Sequence, residues 1–484
     1  MEWRGPDGRL HVPAPTVSLS EMKNEILVFS KGSPWRIYFR MMMVVFPAFF
    51  LLYTVLMIVI GLIEWDPITV ISASLVSMPP ILIALRITRP PIIQLWNLTP
   101  ADGGSTLHNR GPLPALTTPI PTRMERHLLR DGTPLEFPVS KWPWAIFAIC
   151  VVIGTLLSLW ISTSGGSLIP ILAFGVFAIP LWIVGFSIPV LAWWSFACSR
   201  LRIPARRVEA EAWLAAGMIS AFPAFILNSL AVPELMPKYW SDEEAFFTMV
   251  AIGAPIIEET FKATVLLFFL GSMRSDRSGF LVGFSIGLGF AMIENLQYIA
   301  VSLFGGPAEL AVTTLVRGIG SIPAHALWTG IVGSAVGGFL RGSKINQIAE
   351  ESSISTQIKI INVVESMGID IDGDGTSGGF KQSRKLLKGY DPKEEWFISG
   401  SRVLETIDQA SGQSFQRSVR ASFLIAVAGH CAWNGLSVGV INLSKEMGLN
   451  EAASLFISLA TISVMVATVV LLTFRELRTH SPRQ

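Results

Sequence analysis

The stretch Ala254-Pro255-Ile256-Ile257-Glu258-Glu259-Thr260-Phe261-Lys262 sets two carboxylates and an ammonium inside an apolar run that extends from Ala245 to Gly271. That run is long enough to cross a bilayer, which takes about 20 residues of helix. A charge at bilayer depth costs on the order of 2.5–3.5 kcal/mol even on the lenient insertion scale, so such residues are rare and mark functional positions. Glu258, Glu259 and Lys262 therefore need partners, and the rest of the chain has to supply them.

The 484 residues are 51% hydrophobic and only 15% charged, against about 25% charged in an average soluble domain. Ten apolar segments are near spanning length: roughly 41–63, 67–87, 143–163, 167–197, 210–231, 245–271, 279–304, 315–340, 420–443 and 452–474. These predict an all-α, polytopic membrane protein of ten transmembrane helices. The fourth segment contains Pro180 and Pro189 and is expected to kink or tilt. The net charge of +2, without a dense basic run, points to no nucleic-acid partner. Cys150, Cys198 and Cys431 lie in or beside apolar runs and form neither a disulfide framework nor a Cys-x-x-Cys site.

The connections alternate in basic charge. Arg4, Arg9, Lys23, Lys31 and Arg36 precede the first span, and Glu64-Trp65-Asp66-Pro67 follows it without Lys or Arg. Arg123, Arg126 and Arg130 lie in the next connection, then Arg200, Arg202, Arg206 and Arg207 two connections later, and Arg475, Arg478 and Arg483 in the tail. By the positive-inside rule both termini are expected on the cytoplasmic side of the cell membrane, which requires an even number of spans. The first 36 residues lack the apolar core of a signal peptide.

This reading divides the chain into a cytoplasmic segment (1–40), accessory helices (41–231), the first part of a membrane core (245–341), a polar cytoplasmic insert (342–416), a further core helix (417–443), and a final helix with its tail (452–484). A Pro-rich connection, 88–142, interrupts the accessory helices and is expected to be extended or irregular. Within the insert, Asp370-Ile371-Asp372-Gly373-Asp374-Gly375 begins like a calcium loop. Its twelfth position is Lys381 where a bidentate Glu is needed, which favours a plain acidic turn.

The ionisable residues inside the spans gather in the sixth to ninth: Glu258, Glu259, Lys262, Glu294, Arg317, His325 and His430. At about 1.5 Å per residue, Glu258, Glu294, His325, His430 and Asn434 fall at similar depth on four helices, which points to one shared polar cavity. Each also has a local explanation. Glu258 and Lys262 could neutralise each other as an i, i+4 pair. Arg317, near the mouth of its span, could snorkel. The histidines, Asn295 and Asn434 could be interhelical hydrogen-bond formers. Gly279, Gly283 and Gly287 share the face of Glu294 and suit close helix approach.

Carboxylates and imidazoles converging in a shielded pocket suit hydrolysis. A buried carboxylate can act as general base on water, and histidines with a carboxylate can hold a divalent metal that keeps one position open. An amide or a histidine can donate to an oxyanion. The same carboxylates could instead serve a proton- or cation-coupled transporter, although the inverted repeat common in such folds is not evident.

Four motifs narrow the choice: Glu258-Glu259-x-x-Lys262, Phe290-x-x-x-Glu294-Asn295, His325-x-x-Trp328 and His430-x-x-Trp433-Asn434. In this order, over about residues 245–440, they resemble the PrsW family of intramembrane metalloproteases, distant relatives of the CAAX-processing and bacteriocin-processing membrane proteases. The gap between the third and fourth motifs, filled by the insert, departs from the family pattern. The resemblance implies an intramembrane endopeptidase in which Glu258 and Glu259 are essential and one of them activates water. Glu294, His325 and His430 would bind Zn2+ or, without metal, position the water and stabilise the oxyanion with Asn434. Lys262 and Asn295 would support them. The implied partners are the lipid bilayer and a membrane-anchored protein substrate such as an anti-sigma-factor-like regulator.

Overall fold

The computed structural model describes residues 42–87, 92–110, 113–130, 138–165, 167–203, 207–341 and 417–481, with short pieces between 3 and 39 and between 343 and 352. Most of the 342–416 insert, including the Asp370–Gly375 turn, lies outside the described residues. The chain divides into two compact units.

One unit comprises residues 1–31, 89–134 and 354–403. Its described part holds two antiparallel pairs. Strands β1 (Trp3–Arg4) and β2 (Leu10–His11) make a short one, and β3 (Ile92–Arg110) and β4 (Leu113–Arg130) a long hairpin. The Pro-rich connection is thus extended and, in addition, paired: Ile92 lies opposite Arg130 and Arg110 opposite Leu113. Its prolines leave a mark, because the register shifts between Pro100 and Ser105, where proline has no N–H to give the ladder.

The other unit carries the membrane helices. In order they are α1 (Val45–Ile63), α2 (Pro67–Ile87), α3 (Lys141–Thr163), α4 (Leu168–Leu201), α5 (Arg207–Leu235), α6 (Asp242–Thr248), α7 (Ala254–Leu266), α8 (Asp276–Ser302), α9 (Pro307–Val316), α10 (Ile322–Leu340), α11 (Val419–Glu446) and α12 (Glu451–Thr479). All ten apolar segments of the sequence are helical. Among the described residues, eight helices are long and apolar enough to span, counting α9 with α10 as one. The apolar part of α2 is shorter, Pro67–Ile83, and the sixth segment is broken into α6 and α7. The chain is an all-α, multi-pass membrane protein. Large apolar side chains such as Leu75, Ile149, Leu156, Leu172 and Phe456 are exposed on the outer helices, as expected of surfaces that face lipid.

Helix α8 is the axis of this unit: 94% of its apolar window is buried. It lies along α10 at very short range. A Cβ on Gly283 would collide with the Thr329 backbone, and one on Gly287 with the carbonyl of His325. Small residues that let two backbones touch compensate for the missing hydrophobic drive between helices in lipid. Here they also fix the backbone of a site residue, His325, against the helix that carries Glu294.

Candidate active site

Two of the site helices are preceded by a π turn. Helix α6 opens with a capping box, in which the backbone N–H of Ser241 donates to Glu244 over 2.9 Å. That bond, with one from the Ser241 hydroxyl, holds the Glu244 carboxyl below the usual carboxylate range. The chain then passes through a π turn, Met249–Gly253, into α7, which carries Pro255 in its first turn and Glu258, Glu259 and Lys262 after it. The second π turn, Arg317–Ser321, leads from α9 into α10, with Pro323 in the first turn ahead of His325. Such turns are rare, concentrate at functional sites and displace carbonyls from the helical ladder. In a membrane those carbonyls need other donors. Asn434 Nδ2 donates to Val250 O over 3.0 Å, and Trp193 Nε1 to Gly318 O over 3.1 Å.

The charged side chains meet between α7, α8, α10 and α11. Lys262, fully buried, donates to Glu259 Oε1 over 2.7 Å and lies 2.8 Å from His325 Nδ1. Its Nζ also sits 3.9 Å from the centre of the Phe290 ring, a cation–π contact in a dry setting. The local alternative of a Glu258–Lys262 pair is not what forms: the lysine pairs at i, i+3 with Glu259. Both spacings reach the same helix face, and the position of His325 and His430 selects one. His430 Nδ1 lies 2.9 Å from Glu259 Oε1, so Glu259 bridges Lys262 and His430. Glu258 is left with its Oε2 3.7 Å from His430 Nε2.

These contacts fix the roles of the imidazole nitrogens. An ammonium can only donate, and a carboxylate can only accept. His325 therefore accepts at Nδ1 from Lys262 and carries its proton on Nε2, which faces Glu294 Oε2 at 2.7 Å. His430 donates from Nδ1 to Glu259 and turns the lone pair of Nε2 toward Glu258. Trp328 holds this arrangement. Its ring stacks on His430 at 4.7 Å and 20° and meets His325 edge-on at 5.5 Å.

Arg317 does not snorkel. Its Nη2 lies 2.8 Å from Glu294 Oε2, its Nε donates to Asn295 Oδ1, and its guanidinium covers the Tyr298 ring at 4.1 Å. Oε2 of Glu294 thus faces the Arg317 guanidinium and the neutral His325 Nε2–H at close range, without in-line hydrogen-bond geometry. Three carboxylates, Glu258, Glu259 and Glu294, thus face two permanent cations, Lys262 and Arg317, and the unmatched carboxylate is Glu258.

A residue absent from the four motifs completes the surroundings of Glu258. Asn228, on α5, donates from Nδ2 to Glu258 Oε1 over 3.3 Å. The other oxygen, Oε2, is buried without a hydrogen-bond partner among the described residues. Glu258 lines a cavity of about 450 Å³, together with Asn228, Glu294, Tyr298 and Asn434 among others. An amide in the middle of an apolar helix was the signal in the sequence, but α5 carries no motif to draw attention to it.

The donor set also fits a divalent metal. The carboxylate of the set is Glu258 and not the expected Glu294, which pairs with Arg317: Glu258, His325 and His430 offer ligand atoms that all lie within 4.8 Å of one another, and two imidazoles with one carboxylate are a known catalytic zinc set. Glu258 Oε2 and His430 Nε2 are open toward each other, whereas His325 has both nitrogens engaged and would have to exchange one partner to join.

The comparisons with known proteins bear on this region. Residues 210–352 match the family of PrsW intramembrane metalloproteases. The resemblance carried by the motifs is supported over the first three of them. The PrsW match starts in α5, the helix of Asn228, and ends before α11. His430 and Asn434 lie beyond it, and the folded geometry joins them to the site. No curated protein and no solved structure matches the chain.

Proposed function

We propose that this protein is an intramembrane endopeptidase that hydrolyses a peptide bond of a membrane-anchored protein, with Glu258 as the base that activates water. One observation carries the proposal. Among the described residues Glu258 is the buried carboxylate with no cation of its own; it lines the cavity, and its Oε2, without a hydrogen-bond partner, lies 3.7 Å from Nε2 of His430.

The remaining roles follow from the contacts. Water held between Glu258 Oε2 and His430 Nε2 gives a proton to the carboxylate and attacks the scissile carbonyl carbon. Asn228 keeps Oε1 occupied, so that Oε2 is the oxygen that works. Asn434 spends one N–H on Val250 O and has a second for the oxyanion. Glu258 then returns its proton to the leaving amine as the tetrahedral intermediate collapses. Glu259, neutralised by Lys262 and bonded to His430, orients rather than reacts. In a zinc-bound form Glu258, His430 and His325 would hold the ion, which would polarise the carbonyl and acidify the water in place of Glu258 acting as base.

On the charge pattern of the connections, the termini are cytoplasmic and the cavity belongs to the outer half of the membrane, which suits cleavage of a regulator near its extracytoplasmic boundary. The test is a comparison of new protein N-termini in membranes of cells carrying either the wild-type chain or Glu258→Gln. The expected result is one or a few membrane proteins cut only with the wild type. Identical N-terminal profiles would overturn the proposal.

A further inference from the structure

The lining of the cavity beside Glu258 changes along α5 and α8, and the contact between Asn228 and Glu258 sets the level of the change. On α5, Ala221, Ala224 and Phe225 line the cavity one to two turns before Asn228, a reach of about 10 Å at 1.5 Å per residue. On α8, Phe290 lies one turn before Glu294 on the same side, and Leu52 of α1 closes the wall. This deep end is apolar. Past Asn228 and Glu294 polar groups join the lining, Ser229, Gln297 and Tyr298, with Pro233 at the rim and Met249, Val250 and Ala254 contributed by the π turn and the start of α7.

Two alanines make the room at the deep end. Ala221 and Ala224 are 5% and 1% exposed, and their neighbours Leu52 and Phe290 are themselves packed into the core, so the space is bounded by fixed side chains. Phe225 is braced edge-on by Tyr53, with ring centres 5.5 Å apart. The cavity volume, about 450 Å³, is within the range of roughly 300–1,000 Å³ of small-molecule sites. It takes a bulky side chain with its flanking backbone, and is far too small for an intact helix about 10–12 Å across.

We infer that this deep apolar pocket is a specificity subsite. It takes a large aliphatic or aromatic residue on the membrane-interior side of the scissile bond, and the Ser229–Gln297–Tyr298 mouth takes an unwound polar segment on the other side. The inference rests on the hydrolytic reading of Glu258 and adds the substrate class: membrane proteins whose spanning helix breaks at its outer end just beyond a bulky apolar residue. A carbonyl inside an intact helix is already hydrogen-bonded within it. The break is what presents the bond to Glu258.

The experiment uses the full chain in proteoliposomes with single-span peptides that carry a Gly-Ser break at the outer end of the apolar segment. The residue before the break, on the membrane side, is Ala, Leu or Phe, and products are read by mass spectrometry. The wild type should cut the Leu and Phe peptides at least about tenfold faster than the Ala peptide, the discrimination a pocket gives for one or more methylenes. Ala224→Leu should reverse that order, and Phe225→Ala should raise the preference for Phe. Phe225→Ala adds space without crowding the core, so it tests the subsite even if Ala224→Leu fails to fold. A Phe-to-Leu rate ratio unchanged between wild type and Phe225→Ala, or no preference in the wild type, overturns the subsite. Cleavage of none of the peptides, with wild type and Glu258→Gln indistinguishable, overturns the hydrolytic reading and the subsite together.

Discussion

Lys262 reaches Nδ1 of His325 over 2.8 Å, and this one contact decides which nitrogen of the imidazole faces the reaction centre. The lysine is buried beyond reach of water, shared between Glu259 and His325 and capped by Phe290. Replacing it by methionine leaves Glu259 buried without its cation, a loss of about 3–5 kcal/mol. It also releases the imidazole. In nitrogen-15 spectra of histidine-labelled protein, His325 should carry its proton on Nε2 in the wild type and lose that preference in Lys262→Met. A tautomer unchanged by the substitution would contradict the role given to Lys262.

Arg317 and Glu294 should behave as a coupled pair. Arg317→Met alone should lower the unfolding free energy by about 3–5 kcal/mol, because it strands a half-buried carboxylate. Adding Glu294→Gln should recover about 0.5–3 kcal/mol of that loss, the coupling typical of side chains in contact. Denaturant titration of the four proteins in detergent measures both. Strict additivity would mean that the pair at 2.8 Å contributes nothing.

Gly287→Ala tests the close seam between α8 and α10. Its Cβ would run into the carbonyl of His325, which costs about 1–3 kcal/mol as overpacking. The shift of His325 should slow cleavage by about a hundredfold, as small misplacements of catalytic groups do. Gly175→Ala, where a Cβ meets nothing within 4 Å, should be close to neutral in both assays.

The two carbonyls freed by the π turns separate structure from chemistry. Trp193→Phe removes the donor to Gly318 O, and Asn434→Ala the donor to Val250 O. Each should cost about 1–3 kcal/mol of stability for a buried acceptor left unmade. Only Asn434→Ala should also reduce the turnover number, by about 10²–10³, as expected of a lost oxyanion donor. Equal effects of both variants on turnover would leave Asn434 a purely structural residue.

Much of this was readable before folding. The period and length of the apolar segments identified the helices, and the expense of charge in a membrane singled out Glu258, Glu259, Lys262, Glu294, His325 and His430, which the fold brings together. The rest depended on choices that spacing leaves open. Lys262 could reach either glutamate, and only the helices opposite decide for Glu259. The π turns are backbone events with no composition of their own, and Pro255 and Pro323 inside two spans were their only trace. Asn228 sits on a helix without a motif, and its meaning comes from the 3.3 Å to Glu258. The hairpin of β3 and β4 was hidden by prolines that break its ladder rather than prevent it.

The central claim is that Glu258 reacts and Glu259 supports. Its most direct test is the cleavage rate of one reconstituted substrate by Glu258→Gln and Glu259→Gln, each measured beside its unfolding transition. Glu258→Gln should fold like the wild type, since Asn228 still has an oxygen to bond, and should lose at least about a hundredfold in rate. Glu259→Gln should be destabilised, because Lys262 and His430 lose their charged partner. A Glu258→Gln protein that cleaves at the wild-type rate, or a Glu259→Gln protein that folds normally and cannot cleave, would contradict the assignment.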